Sequence, residues 1–363
     1  MAEEAGFQTI TGMSAEAVKQ RNPVIDVIKG VAILLVLVGH AIQFASGVEY
    51  QRAGAFYDNV LFKVIYSFHM PLFMVLSGYL FYHTVSRKSL GTIVWSKVRT
   101  LVIPIFSFAF IVWILRFNPQ YSIIDQVRNY LSVTRSTLWF LWTLFYSSMG
   151  VLIGNKLFKD NVVVWLVLIF ASFLTPDKWF SEMYKFTFPC FLFGYYAHKH
   201  DWVTVLKNNI RWILPVGLIV FIVCLLFYGV DTFVYMSGSC IWSEGTISLR
   251  LLWLDVFRTF VGILGSTLFV AFTLLIPRAQ LKGTVPKVLA HIGVCSMGIY
   301  CFQHFYFLLY NEWFQAGFIH IGSWGSMQLN RFLCLSLAFF VSYGLTLVVK
   351  RIKVLNILFL GGR

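Results

Sequence analysis

The sequence predicts an all-α protein, folded as a polytopic bundle of about ten transmembrane helices. Hydrophobic residues make up 58% of the 363 residues and charged residues only 12%, whereas soluble domains carry about 25% charged residues. Apolar stretches long enough to cross a bilayer recur along the chain. Together these observations exclude a soluble enzyme, because too few charged side chains remain to cover a surface in water.

Ten apolar stretches are candidate spans, because about twenty apolar residues in a helix cross the hydrocarbon core. They are 24–46, 60–82, 98–117, 137–154, 161–176, 184–198, 211–230, 251–276, 287–310 and 330–349. The fifth and sixth are the shortest. No room is left for a separate soluble domain. We therefore divide the chain into an N-terminal tail (1–23), a membrane domain (24–352) and a C-terminal tail (353–363).

The positive charge is distributed in short tracts between the apolar stretches. The formal net charge is +14, but a nucleic-acid surface needs Lys and Arg clustered on a soluble domain. We therefore expect membrane lipid and no nucleic acid as a partner. Lys and Arg are more numerous on the side of the N-terminus, with Lys185 and Arg331 among the residues assigned to outside loops. By the positive-inside rule both termini are expected in the cytosol.

The first helix carries three ionisable side chains, Asp26, Lys29 and His40. Lys29 and His40 are eleven residues apart, which places them on one stripe of a helix, about 16 Å apart. Ionisable groups in a membrane are costly unless they are paired or face water, so each indicates a functional site. For Asp26 and Lys29 a structural alternative stays open, with Lys29 reaching the interface and Asp26 neutralising it or capping the helix.

A second histidine, His69, lies in the next helix at a depth comparable with that of His40. Pro71 removes one backbone hydrogen bond beside it and predicts a kink, which membranes tolerate where the backbone lines a cavity. Two imidazoles at one level supply a general base and a group that orients the base or stabilises an oxyanion. No GxSxG motif is present to support a serine nucleophile.

Two later helices also carry polar groups. Asp255 and Arg258 are three residues apart and can form an ion pair on one helix face, which is either structural or part of the site. Tyr300 and His304 are four residues apart on another helix. They predict either a hydrogen-bonded strut between helices or a wall of the active cavity. The cysteines form no CxxC pair, so no metal site is expected.

Five sequence blocks resemble the acyltransferase 3 family of membrane O-acyltransferases, and in particular its fucose 4-O-acetylase-like branch. They are RNPVIDVIKGVAILLVLVGH at 21–40, FHMPLFMVLSGYLF at 68–81, LWFLWTLF at 138–145, IGVCSMGIYCFQHF at 292–305 and NILFLGGR at 356–363. The resemblance implies a ten-helix domain that moves an acyl group, usually acetyl, from cytosolic acyl-CoA to a glycan hydroxyl. The family's histidines map onto His40 and His69. Many relatives have an Arg-rich opening pattern, whereas Arg21 and Lys29 stand at the comparable basic positions here.

The combined hypothesis is a membrane O-acetyltransferase with His40 as general base and His69 as its helper. Acetyl-CoA is the expected donor substrate, and a carbohydrate of the surface or of an exported glycan is the acceptor. The donor phosphates are expected on a basic rim, which the alternative interpretation treats as a topology signal: Lys29, Arg87, Lys88, Lys97 and Arg99. We expect the bacterial cytoplasmic membrane as the location, and a homo-oligomer is compatible with the sequence. The alternative function is a transporter or flippase for a glycan or small solute.

Overall fold

The computed structural model describes residues 22–45, 56–174, 181–237, 242–243, 246–277, 279–315 and 324–362. The predicted N-terminal tail therefore lies almost wholly outside the described residues. Fifteen α-helices are found in the described part of the chain: α1 Pro23–Phe44, α2 Val60–Arg87, α3 Leu90–Lys97, α4 Ile103–Leu115, α5 Ile123–Ser136, α6 Trp139–Phe158, α7 Val162–Phe173, α8 Ser181–Lys199, α9 Trp202–Asn208, α10 Ile210–Leu226, α11 Val234–Ser237, α12 Leu249–Leu274, α13 Thr284–Gln315, α14 Trp324–Arg351 and α15 Lys353–Leu360.

The remaining regular elements are short. A π-helical turn, Val98–Val102, joins α3 to α4, and 3₁₀ turns cover Val230–Thr232 and Gln280–Lys282. A hairpin of two residues per strand pairs β1 (Trp242–Ser243) with β2 (Thr246–Ile247) in antiparallel register. The fold is thus a helical bundle, as the sequence predicts.

Six helices in the described residues are long and apolar enough to cross a membrane. The number rises to eight if the bent pairs α5–α6 (74°) and α9–α10 (94°) each form one span. The predicted count of about ten is not confirmed, because bends interrupt several of the apolar stretches. The third span begins at Leu90 instead of residue 98, because α3, the π turn and α4 form one continuous helical segment.

Glycine pairs bring the central helices into backbone contact. A methyl group on Gly30 of α1 would lie 2.0 Å from the carbonyl oxygen of Leu289 in α13, and one on Gly293 would lie 1.8 Å from that of Asp26. Gly78 of α2 and Gly194 of α8 make the same kind of close approach. Small residues at such crossings are typical of helix packing in membranes, where burial in lipid gives no driving force.

The proline in α2 is accommodated by a glycine of α12. The Pro71 Cγ atom lies 2.7 Å from the position that a Cβ of Gly262 would take. Ser67, whose carbonyl loses its partner because Pro71 has no N–H, faces the same glycine. α2 runs as one α-helix from Val60 to Arg87 through Pro71, and the Pro71 position packs directly on α12, one turn away from Arg258.

Two basic residues and one terminal segment differ from their predicted environment. Lys185 and Arg331 lie inside α8 and α14, with 0% and 8% of their surface exposed, so their assignment to outside loops is wrong. Both residues fall just inside the predicted spans 184–198 and 330–349, and their helices begin before them, at Ser181 and Trp324. Residues 353–360, assigned to a tail, form α15, and its last turn ends at Gly361 (φ 67°) against Thr100 of the π turn.

Candidate active site

His40 lies half-buried near the last turns of α1, among aromatic rings and one amide. Its ring centroid is 5.9 Å from that of Phe44, 6.4 Å from that of Tyr66 and 5.4 Å from that of Phe307. Its Nδ1 atom is 3.4 Å from Oε1 of Gln303, a fully buried residue of α13. This long hydrogen bond links α1 to α13 and orients the imidazole.

His69 is 4% exposed and its ring lies 4.8 Å from that of Tyr66. Tyr66 therefore contacts both histidines, and its hydroxyl donates to Oε1 of Gln43 at 2.5 Å. The Nδ1 of His69 is 2.8 Å from the carbonyl oxygen of Ile65, which can only accept. In its neutral form His69 thus carries the proton on Nδ1 and presents Nε2 as an acceptor.

A small cavity of about 20 Å³ adjoins His69, which is space for about one water molecule. Its walls come from α2, α6, α8, α12 and the segment before α12, and they include His69, Tyr66, Trp139, Tyr228 and Arg258. A guanidinium group therefore lines the same small cavity as one of the two histidines.

Arg258 is held by partners on two elements. Its Nε lies 3.5 Å from Oδ1 of Asp255 and donates to the Leu254 carbonyl at 3.1 Å, and its Nη2 donates to the Ser237 hydroxyl at 2.9 Å. Both charged side chains are 1% exposed. The ion pair predicted from the three-residue spacing is present, and its arginine lines the His69 cavity.

A second cavity of about 580 Å³ lies between the opposite ends of the same helices. Its walls are mostly apolar and come from α1, α2, α8, α9 and α12. Val75 and Leu76 of α2, which line it, follow Pro71 by about one turn. Two lysines, Lys207 and Lys282, stand on its lining. The cavity therefore extends from Lys207 and Lys282 to within about one helical turn of Pro71, the proline two residues after His69.

The other predicted site residues are distributed more widely. Arg87, Lys88 and Arg99 are exposed at the end of α2 and in the π turn, and the Lys97 ammonium lies 4.6 Å from the Phe81 ring centroid. Asp26 and Lys29 are half-buried in the first two turns of α1. The backbone carbonyl of Asp26 lies at the close contact between α1 and Gly293 of α13.

Tyr300 and His304 lie on α13 on either side of the Gln303 position. The Tyr300 ring is 5.6 Å from that of Phe140 in α6, which fits a strut between helices. His304 is half-buried one residue after Gln303, the amide that contacts His40. Both residues therefore belong to the helix that forms one wall of the histidine site.

Sequence reasoning missed Gln303 and Tyr66 as residues of this site. Gln303 lies within the family-like block 292–305, between Tyr300 and His304. Because its side chain carries no charge, the cost of burying an ionisable group does not single it out. Its Nε2 atom is buried and has no hydrogen-bond partner among the described residues. The same residues contain no group of three or more His, Cys, Asp or Glu side chains placed to hold a metal ion.

The bundle and its paired histidines define an integral membrane protein with a polar site inside its helices. Residues 22–351 match the acyltransferase domain of the acyltransferase 3 family, and the chain belongs to that family. It is therefore a membrane acyltransferase.

Two nodulation proteins NolL are similar to it. That of Mesorhizobium japonicum is 28% identical over 264 residues, covering 70% of this chain and 68% of its own length. That of Sinorhizobium fredii is 27% identical over 241 residues, covering 62% of each chain. No solved structure matches the chain.

Proposed function

We propose that the protein is an O-acetyltransferase that moves an acetyl group from cytosolic acetyl-CoA to a hydroxyl of a surface or exported glycan. One observation carries the proposal: His40 and His69 flank Tyr66 at one end of the bundle, and a large cavity lined by Lys207 and Lys282 enters the bundle from the other end. Such a site can receive a donor and an acceptor from opposite sides.

The donor enters through the 580 Å³ cavity. Its apolar walls suit the pantetheine arm, and Lys207 and Lys282 suit the phosphate groups, since ammonium groups form strong hydrogen bonds to phosphate oxygens. This arrangement requires the end of the cavity that carries Lys207 and Lys282 to be cytosolic, together with both chain termini. A reporter fused after Arg363 checks the orientation. If the reporter is accessible from outside the cell, the donor route is wrong.

His40 acts as the general base. It takes the proton of the acceptor hydroxyl as the oxygen attacks the thioester carbonyl carbon. The carbon–sulfur bond then breaks, and the CoA thiolate leaves with the proton from the imidazolium. His69, whose Nδ1 is engaged by Ile65, accepts a hydrogen bond from a neighbouring hydroxyl of the sugar and orients it.

The oxyanion formed by this attack needs a donor close to His40. The Nε2 group of Gln303 is buried, has no partner among the described residues, and belongs to the amide that contacts His40. Buried donors aimed at developing charge contribute strongly to catalysis. We therefore assign the oxyanion contact to Gln303.

Mass analysis of surface glycans from cells with and without the gene tests the proposed reaction. We expect one acetyl mass per modified site to disappear with the gene. A transporter would instead change the location of the glycan at constant mass. Unchanged mass and unchanged acylation would refute the proposed function.

The donor site is tested with two double variants, Lys207→Ala with Lys282→Ala and Arg87→Ala with Lys88→Ala. Loss of a phosphate contact raises the KM for acetyl-CoA and leaves the acceptor KM in place. The cavity lining predicts this effect for the first pair. A rise with the second pair alone would place the donor on the exposed end of α2 instead.

A further inference from the structure

Trp202, the first residue of α9, lines the 580 Å³ cavity together with the two lysines. Its indole is 39% exposed. Lys207 lies five residues further along the same helix and lines the same cavity, so the two positions are about 7.5 Å apart along the helix axis. An accessible aromatic ring and an ammonium group therefore share one wall of the cavity.

One face of the Trp202 indole is covered by other aromatic rings. The His200 ring is stacked on it, with centroids 6.2 Å apart and an angle of 23° between the planes. His200 in turn is stacked on the Tyr196 ring, at 5.7 Å and 4°. Trp202 is therefore the last ring of a three-ring stack that ends at the cavity. A flat ring entering from the cavity can extend this stack by one member.

The stack is anchored to the bundle at both ends. The Tyr196 hydroxyl donates to the Asp160 carboxylate at 3.3 Å, and the Trp165 indole donates to the same carboxylate at 2.9 Å. At the other end Phe193 packs against Trp202, with ring centroids 5.3 Å apart and planes tilted by 53°. The indole is therefore held in position before a ligand arrives, which lowers the entropic cost of binding.

A purine nucleotide fits the chemistry of this wall. A base stacks on an aromatic side chain through its π face. Its phosphate oxygens lie one ribose away and suit an ammonium group such as that of Lys207 or Lys282. A tryptophan near the end of a membrane helix can also serve as an interfacial anchor. An anchor does not need to line an internal cavity or to be backed by stacked rings, whereas a platform for a base uses both features.

We propose that Trp202 is the platform on which the adenine ring of acetyl-CoA stacks, while Lys207 and Lys282 hold the phosphates. The inference rests on the proposed function, and it adds the residue that recognises the nucleotide half of the donor. The pantetheine arm then runs from α9 along the apolar walls to Val75, which lies about one turn from Pro71.

Binding of CoA and of phosphopantetheine to the full-length protein in phosphatidylcholine nanodiscs tests the inference. Phosphopantetheine keeps the arm of CoA and lacks the base. Trp202→Leu keeps an apolar side chain but has no ring. In this variant we expect the Kd for CoA to rise by about tenfold and the Kd for phosphopantetheine to stay unchanged. Trp202→Phe restores a ring and is expected to recover most of the affinity for CoA.

The matched control is Trp212→Leu. Trp212 lies on the neighbouring helix α10, is 65% exposed and has the guanidinium of Arg211 at 5.8 Å from its ring, but it does not line the cavity. Both Kd values of this control are expected to equal those of the wild type. Etheno-CoA, whose fluorescent base is quenched when it stacks on an indole, adds a spectroscopic readout. We expect quenching by the wild type and by Trp212→Leu, and none by Trp202→Leu.

Three results would overturn the inference and leave the proposed reaction in place. They are an unchanged Kd for CoA in Trp202→Leu, an equal rise in the Kd for phosphopantetheine, and binding by Trp202→Phe as weak as that by Trp202→Leu. Equal quenching of etheno-CoA by Trp202→Leu and the wild type would also overturn it. If the wild type binds no CoA, the platform and the acetyl-CoA donor both fail. If binding follows expectation but glycan mass does not depend on the gene, the proposed function fails and the nucleotide platform stands.

Discussion

Replacing His40 by Gln separates a catalytic role from a packing role. The glutamine side chain keeps a hydrogen-bonding group near Oε1 of Gln303, from which the wild-type Nδ1 is 3.4 Å away. It also fills much of the space between Phe44, Tyr66 and Phe307. The one property it lacks is the ability to accept and return a proton.

The loss of proton transfer sets the expected fall in the rate of acetyl transfer. General base catalysis contributes about 10²–10⁴ in rate, or about 3–5 kcal/mol of activation free energy. The stability cost is expected to be about 1 kcal/mol, because the lost hydrogen bond is long and the ring contacts are partly replaced. The rate should therefore fall by at least a hundredfold while the protein stays folded.

The assay is transfer of acetyl from acetyl-CoA to glycan, measured at matched amounts of folded protein in proteoliposomes. His291→Gln is the control, because His291 is an exposed residue of α13 whose ring faces Tyr343 at 6.0 Å, away from the site. We expect His40→Gln to bind acetyl-CoA normally and to modify no glycan. Wild-type rates of acetylation by His40→Gln would refute the assignment of the general base.

Two further predictions concern the stability of the bundle. Asp255→Asn removes the carboxylate that lies 3.5 Å from Arg258, a side chain only 1% exposed, and should lower the free energy of unfolding by about 3–5 kcal/mol. The measurements are the yield of folded protein and its Tm in detergent, both of which should fall. Normal expression with lost activity would instead assign the ion pair to the catalytic site. Gly293→Ala places a methyl group 1.8 Å from the Asp26 carbonyl oxygen and should destabilise the protein by about 1–3 kcal/mol. The control is Gly344→Ala, which has nothing within 4 Å and should keep or slightly raise the Tm, because alanine favours a helix over glycine. Equal Tm values for the two variants would show that the α1–α13 crossing is not tightly packed.

The sequence alone was sufficient for the features that depend on local pattern. Composition and the length of apolar stretches predict a membrane bundle, because the bilayer selects for hydrophobic helices one segment at a time. The three-residue spacing of Asp255 and Arg258 predicts their ion pair, since helical geometry fixes which neighbours share a face.

Only the tertiary structure decided which distant residues meet. Gln303 contacts His40 across 263 residues of sequence, and Lys207 and Lys282 line the large cavity although neither lies in a predicted span or in a family-like block. Apolar helices such as α4 and α14 have no distinct polar face, so hydropathy cannot indicate which of their faces meets which neighbour. That choice is made by close packing, as where Gly30 and Gly293 let the backbones of α1 and α13 touch, and it thereby positions the side chains of the site.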